Sequence, residues 1–255
     1  MEKETYRAGK EGAAEIQASE ENPAREAIPA REAIPSREEI PSREEIRAAR
    51  VMRHGAGVQR KLEQASVAVA GLGGLGSNIA VFLLRMGIGR LHLIDMDEVD
   101  LTNLNRQQYG LRHLGMLKTE ALREELLEID PYADIRTDNV RVTRENAAAL
   151  FSEDDIICEA FDDPESKAML VNFILEKYPE KYVAAASGMA GYGRSNAIRT
   201  RQLSPHFILC GDGVTEGHRG NGLMAPRVAL AAAHQANAVI ELILDGSIGT
   251  ESAGI

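Results

Sequence analysis

The chain has 255 residues, room for one good-sized domain with a tail. Its 39 Asp+Glu against 29 Lys+Arg give a formal net charge of −10, which weighs against broad binding to a nucleic-acid backbone and leaves a small basic site open. The two cysteines, Cys158 and Cys210, make no disulfide framework, the start "MEKETYRAGKEGAAEIQASEEN" is not a secretory signal, and no apolar run is counted as long enough for a bilayer. A soluble cytoplasmic protein that contacts neither membrane nor nucleic acid is the expectation.

First in chain order is a tandem hexapeptide, "AREAIP AREAIP SREEIP SREEIR", from Ala24 to Arg47. Its period is far below that of solenoid repeats. Pro29, Pro35 and Pro41 break any helix between copies, and one Ile per copy buries little surface. Residues 1–47 therefore read as a disordered or loosely helical tail ahead of a domain at 48–255. The last copy runs into "REEIRAARVMRH", a candidate helix leading into the domain.

From Ala65 the pattern becomes alternating. "SVAVAG" is a short apolar strand, and "GSNIAVFLLRMG" carries apolar residues at helical spacing and stops at Gly87. "RLHLIDMD" is a second strand ending in acids, and "LKTEALREELLEID" an amphipathic helix closed by Pro131. "ADIRTDNVRV" and "DDIICEAFD" are further strands, "DPESKAMLVNFILEKY" a helix, and "KYVAAAS" a fifth strand. Strands alternating with helices imply an α/β fold with a doubly wound, mostly parallel sheet. After Ser187, "GYGRSNAIRTRQLS" and "HFILCG" read as an antiparallel extension. The loop "GDGVTEGHRGNG", the helix "APRVALAAAHQANAVIELIL" and a frayed end "DGSIGTESAGI" follow.

"GLGGLGSN", from Gly71 to Asn78, joins the first strand to the first helix of the domain. In that context Gly71 permits the tight turn, Gly73 lets backbone approach phosphate, and Gly76 lets helix and strand pack closely, with Gly74 in the same turn. The helix N-terminus then offers free N–H groups and partial positive charge to an anion. Asp95, ending the second strand, is placed to accept ribose hydroxyls, and Asp97 is a second candidate. To this point a dinucleotide-dependent oxidoreductase reads equally well.

"DLTNLNRQQYGLRHLGMLK" shifts the balance by grouping Asn103, Arg106, Gln107 and Lys118 after the ribose acid. Arg106 supplies a planar fork for phosphate oxygens and Lys118 a point charge, together a triphosphate clamp. Lys118 begins a helix, where a cation opposes the dipole and needs another reason to be there. Asp162 follows the fourth strand, at the sheet's carboxyl end, and is the candidate Mg²⁺ ligand. Asp163 reads as the N-cap of the helix beginning at Pro164.

This combination of glycine turn, "DMD", "NLNRQ", "GMLK" and the aspartate after strand four resembles the ubiquitin-activating superfamily, with its bacterial ThiF and MoeB members. The resemblance covers roughly Arg50 to Asp245. "GDGVTEGHRGNGLMAPRVALAAAHQAN" is similar to the ending of short ThiF-like proteins that adenylate the thiamine sulfur carrier ThiS.

The resemblance implies ATP with Mg²⁺ as cofactor and a small ubiquitin-like sulfur carrier of the ThiS type as partner. The carrier's terminal Gly carboxylate would attack the α-phosphate and release pyrophosphate, in thiamine biosynthesis. By position, Asp95 would take the ribose, Asn103, Arg106 and Lys118 the phosphates, and Asp162 the metal, with Arg106, Lys118 and Asp162 catalytic. Arg53, in "RVMRH", stands where relatives carry an arginine reaching into the partner subunit's nucleotide site, which implies a homodimer.

Two departures from the family pattern are visible. No CxxC pair exists to hold zinc, and no cysteine stands near His218, where relatives with a covalent step carry one. Cys158, inside a strand, reads as core. Cys210 reads as structural, with a sulfur-handling thiol as the alternative. His218 and Arg219 are candidates for touching the carrier tail, against a plainly solvated loop. His54 and His113 have no metal-like arrangement. The alternatives for function are an NAD-dependent oxidoreductase on the same fold or, within the family, an enzyme adenylating a molybdopterin carrier or a tRNA base.

Overall fold

The computed structural model describes residues 40–217 and 222–248. The repeats up to residue 39, His218, Arg219 and the chain end beyond 248 lie outside the described residues, as do the expectations attached to them.

The described chain opens with α1 (Arg43–His54), started by a capping box in which Ser42 and Glu45 satisfy each other's backbone amides. The ordered helix therefore begins before the expected boundary at residue 47, because the last hexapeptide copy supplies the cap and first turn. No α1 residue is buried. The helix is held by polar contacts, chiefly Arg50 to Asp130 at 2.9 Å and Arg43 to the Tyr132 carbonyl at 2.6 Å. A second short helix, α2 (Ala56–Gln64), buries Leu62 and leads into β1 (Ser66–Ala70).

The remaining elements follow as α3 (Gly74–Met86), β2 (Arg90–Asp95), α4 (Lys118–Ile129), β3 (Asp134–Asn139), α5 (Ala147–Leu150), β4 (Ile156–Glu159), α6 (Pro164–Lys177), β5 (Tyr182–Ala186), β6 (Arg199–Ser204), β7 (Phe207–Gly211) and α7 (Ala225–Asp245). Single 3₁₀ turns at Leu101–Asn103 and Leu111–His113 interrupt the β2–α4 connection, where the sequence indicated no regular element. The strands form one seven-stranded sheet in the order β3-β2-β1-β4-β5-β7-β6.

All pairs are parallel except β6 with β7. β6 and β7 are the antiparallel strands joined by a turn that the sequence indicates after Ser187. The chain leaves β5, crosses the top of the sheet, comes down the edge as β6 and returns through a tight turn as β7. That route puts β7 beside β5 in parallel register, Ala184 opposite Ile208. β6 has the composition of an edge, "RTRQLS", with most of its residues exposed.

The sheet is covered on both faces, as a doubly wound fold requires. Val67 and Val69 of β1 pack toward α3, α4 and α7, while Ala68 and Ala70 face the layer built by Phe151, Leu170 and Ile174. At 21 residues, α7 is long and apolar enough, by length and composition, to span a bilayer, a segment the sequence reading did not count. Here its Val228, Ala232, Val239 and Leu242 are core residues.

Beneath the glycine turn, sterics dictate residue type. Gly71 has φ +92°, and a Cβ there would stand 2.8 Å from the Ala160 carbonyl oxygen. A Cβ on Gly76 would lie 1.8 Å from the Gly71 oxygen. Gly76→Ala therefore has to push α3 off β1. It is expected to cost about 1–3 kcal/mol of stability as an overpacking change. Thermal unfolding checks this, with Tm falling about 2–4 °C per kcal/mol for a domain of this size. An unchanged Tm would show that the turn tolerates a side chain.

Candidate functional site: a nucleotide-sized cleft at the sheet's switch point

β1 sends its chain to β2 on one side, and β4 lies on the other, so the strand order reverses between β1 and β4. Ligands bind at such a switch point, beyond the carboxyl ends of the strands. A cleft of about 840 Å³ opens there, a size that suits a nucleotide. Gly71, Gly73 and Gly74 line it from the β1–α3 turn, and Asp95 and Asp97 from the end of β2. Asn103, Arg106, Gln107 and Lys118 come from the next connection, and Asp162 from the end of β4. One surface thus gathers residues spread over about ninety positions of sequence. Gly76 sits under the turn, as its packing role demands.

Each part of this surface is held by contacts the sequence did not reveal. Asp95 accepts the Leu72 amide at 2.6 Å through one oxygen and the Asp97 amide at 2.8 Å through the other. Tyr109, buried, donates its hydroxyl to the Leu72 carbonyl at 2.8 Å. Burial, helped by the charges of Asp95 and Asp97, holds the Tyr109 phenol well above its usual range, so it stays a donor. Ser77 and Asn78, the polar pair in an otherwise apolar helix, pin the Arg106 segment to α3. Gln108 donates its amide to Ser77 Oγ at 3.1 Å, and Asn78 Nδ2 donates to the Arg106 carbonyl at 3.2 Å. That polar pair inside "GSNIAVFLL" was the available signal for them.

Lys118 has its reason for sitting at a helix start. Its ammonium lies 2.7 Å from Asp97 Oδ2, in a side chain only 8% exposed. Asp97 thereby acquires a definite place, as the partner of the lysine. Asn103 gives its side-chain oxygen to the Asp100 amide at 2.9 Å, closing the 3₁₀ turn that presents it.

Two polar atoms here are buried without a protein partner, Arg106 Nε and Gln107 Oε1. Unsatisfied buried groups are costly and uncommon, so a pair of them in one cleft marks a place shaped for a polar ligand. Gly73 caps α3 with no side-chain acceptor, which leaves the first-turn amides as donors for an anion.

Across the cleft, Asp162 is exposed. Asp163 caps α6, accepting the Ser166 amide at 2.7 Å, and the Ser166 hydroxyl together with that amide keeps its carboxyl below the usual carboxylate range. The two aspartates therefore divide as expected, cap and free carboxylate. Just below them, Glu159 is fully buried, with Lys167 at 2.5 Å and the Phe161 amide at 2.7 Å. Burial raises its pKa, and Lys167 and the Phe161 amide work against that rise. This pair shapes the turn that carries Asp162.

Several candidates lie elsewhere. Arg53 is exposed on the last turn of α1 and does not line the cleft. His54 bonds to Gln59 at 2.8 Å, and His113 is buried under its own 3₁₀ turn, where Gly110 donates its amide to it. Cys158 and Cys210 are both free and buried. Burial pushes the Cys210 thiol up to about 11, against the Thr200 hydroxyl and Arg201, which pull it down.

A thiol with that pKa is protonated at neutral pH, and the thiolate appears only as the pH climbs toward 11. At pH 8, iodoacetamide is therefore expected to label Cys210 of the folded protein about 10²-fold more slowly than in the unfolded chain. Peptide mass spectrometry of a labelling time course measures it, and equal rates would show an exposed, reactive thiol.

Comparison with known proteins agrees with this geometry. The ThiF family matches residues 46–252. The adenylyltransferase and sulfurtransferase UBA4 of Candida glabrata is 32% identical over 150 residues, 58% of this chain and 34% of its own length. A probable molybdopterin-synthase adenylyltransferase of Porphyra purpurea is 33% identical over 119 residues, 46% of this chain and 31% of its own. This chain thus spans about a third of the length of these two curated relatives. Among solved structures, E. coli tRNA N6-threonylcarbamoyladenosine dehydratase, TcdA, crystallised with ATP, shares the fold with a TM-score of 0.72. It is 22% identical, with 80% of this chain and 95% of that one covered. With more than half its length matched and the switch-point cleft in place, the chain belongs to the ThiF family.

Proposed function

We propose that the chain is an adenylyltransferase that uses ATP to activate the C-terminal glycine carboxylate of a small ubiquitin-like sulfur carrier of the ThiS type. The observation that carries this reading is the cleft itself. A helix N-terminus, Asp95, Arg106 and Lys118 line one side and the free carboxylate of Asp162 the other, with Arg106 Nε and Gln107 Oε1 unpartnered between them. The curated relatives named as adenylyltransferases support the reaction class.

In this reaction a carboxylate oxygen of the carrier bonds to the α-phosphorus while the bond from that phosphorus to the bridging oxygen of the β-phosphate breaks. Acyl-adenylate and pyrophosphate result, with no redox change and no net proton transfer. Asp95 would take the ribose, and the α3 amides, Asn103 and Arg106 the phosphate oxygens. Lys118 would move from Asp97 onto the developing charge of the leaving pyrophosphate. Preorganised cations of this kind act without reorganising at the moment of reaction. Asp162 would hold a Mg²⁺ ion, which would supply charge neutralisation at the phosphates. The assembly is a homodimer in which Arg53 serves the partner's cleft, and it works in the reducing cytoplasm.

The test is ATP–pyrophosphate exchange with a ThiS-type carrier, run beside a molybdopterin-type carrier and a tRNA. Exchange that depends on the first is expected. Exchange dependent only on one of the others would move the chain to that substrate, and NAD binding without exchange would restore the oxidoreductase reading. Asp162→Asn is expected to fold normally and lose about 10²-fold or more in exchange rate. Activity within a few-fold of wild type would remove Asp162 from the catalytic set.

A further inference from the structure

The described chain buries a further ion pair, outside the nucleotide half of the cleft. Arg227, in the first turn of α7, and Asp212, just past β7, meet at 2.5 Å with side chains 4% and 5% exposed. Both ends of the pair continue into backbone. Arg227 Nη1 donates to the carbonyls of Gly193 at 2.5 Å and Arg194 at 3.1 Å. Asp212 Oδ1 accepts the amides of Val214 and Thr215, each at 2.9 Å, and its carboxylate also takes the Thr215 hydroxyl. The Asp212 amide in turn donates to the Gly188 carbonyl at 2.9 Å.

Two loops are joined by this pair, the one leaving β5 and the one leaving β7. Both wall the cleft, the first through Ser187, Gly188 and Ala190, the second through Thr215 and Gly217. Neither Arg227 nor Asp212 lines the cleft. The arrangement is costly. A buried ion pair loses hydration, a cation at a helix start opposes the dipole, and Arg194 is held in the left-handed region at φ 46°. An apolar pair would fill the space more cheaply, but it could not bind the carbonyls of one loop and the amides of the other.

The nucleotide half of the cleft is complete without these loops. Its ligating groups come from residues 71–118 and from Asp162. The loops after β5 and β7 stand on the far side of Asp162, where a second substrate has to bring its carboxylate. We infer that Arg227 and Asp212 are positioning residues, a clasp that sets the spacing of the two loops receiving the acyl substrate and leaves nucleotide binding to the other half. This role rests on the adenylation reading of the cleft.

Three variants separate the possibilities, Arg227→Met, Arg227→Lys and Asp212→Asn, each measured in the full chain. A fluorescent ATP analogue reports nucleotide affinity, carrier-dependent pyrophosphate exchange reports KM and kcat for a ThiS-type carrier, and hydrogen exchange reports the Val214 and Thr215 amides. In Arg227→Met the analogue's Kd is expected to stay within about two-fold of wild type. Its kcat/KM should fall about 10²-fold, the scale of an ångström-sized misplacement, with the loss mainly in KM. The two amides should exchange faster. Arg227→Lys keeps the charge but not the fork, and is expected to recover part of the KM. If Arg227→Met does not fold, Asp212→Asn carries the same expectations for KM and nucleotide affinity, because it loses the charge, while its side-chain oxygen still accepts the two amides.

Unchanged KM and unchanged amide protection would overturn the clasp, and so would a loss of nucleotide affinity as large as the loss of exchange. Should wild type show no carrier-dependent exchange, the adenylation reading fails. The amide protection and nucleotide affinity of the variants would then still decide whether the pair holds the loops independently of the nucleotide half.

Discussion

The carboxylate of Asp95 is the constraint on which the rest of the site depends. A glycine turn is pliable by composition, and a pliable loop cannot present amides to an anion at a defined place. Asp95 removes that freedom by holding the Leu72 amide from one side and the Asp97 amide from the other. A single side chain thus ties the β1–α3 turn to the end of β2. Tyr109 repeats the tie from the next connection through the Leu72 carbonyl. The strand, the turn and the lysine's partner become one rigid piece, and the cleft inherits its shape from that piece.

The second requirement is close packing under the turn. Gly71 and Gly76 let β1, α3 and the end of β4 approach until only hydrogen atoms separate them. Through that contact Asp162, in the turn after β4, stands opposite the α3 amides rather than further along the sheet. A parallel sheet that reverses its order between β1 and β4 provides the opening, and the two aspartates at the strand ends give it polarity. Within it, charge is balanced locally. Lys118 is paired with Asp97 and Lys167 with Glu159, and Arg106 retains an unpartnered nitrogen for a ligand.

Much of this was legible in the sequence, and the reasons are physical. Alternating short apolar runs and amphipathic runs identify a doubly wound sheet because each element has one way to bury its face. The glycine turn, Asp95, Asn103, Arg106, Lys118 and Asp162 stand out because their residue types are unusual for the local pattern. What stayed hidden was partnership across distance. Nothing local in "GDG" announces that Asp212 meets Arg227, since the pairing joins the end of β7 to the first turn of α7. Likewise the place of β7 beside β5, in parallel register, depends on where the chain turns back, which alternation does not encode.

The route of the chain after β5 has a consequence for how such a protein can diversify. The groups suited to the nucleotide are assembled mostly from residues close in sequence, within one βαβ unit and its continuation. The opposite wall is contributed by a later, separate stretch that packs over β7 and α7. Loop-closure entropy grows slowly with length, so that stretch can lengthen or be rebuilt at modest thermodynamic cost. The two walls are thus separable inheritances. One is bound to the geometry of the sheet and resists alteration, and the other is free to be reshaped while the first keeps its form.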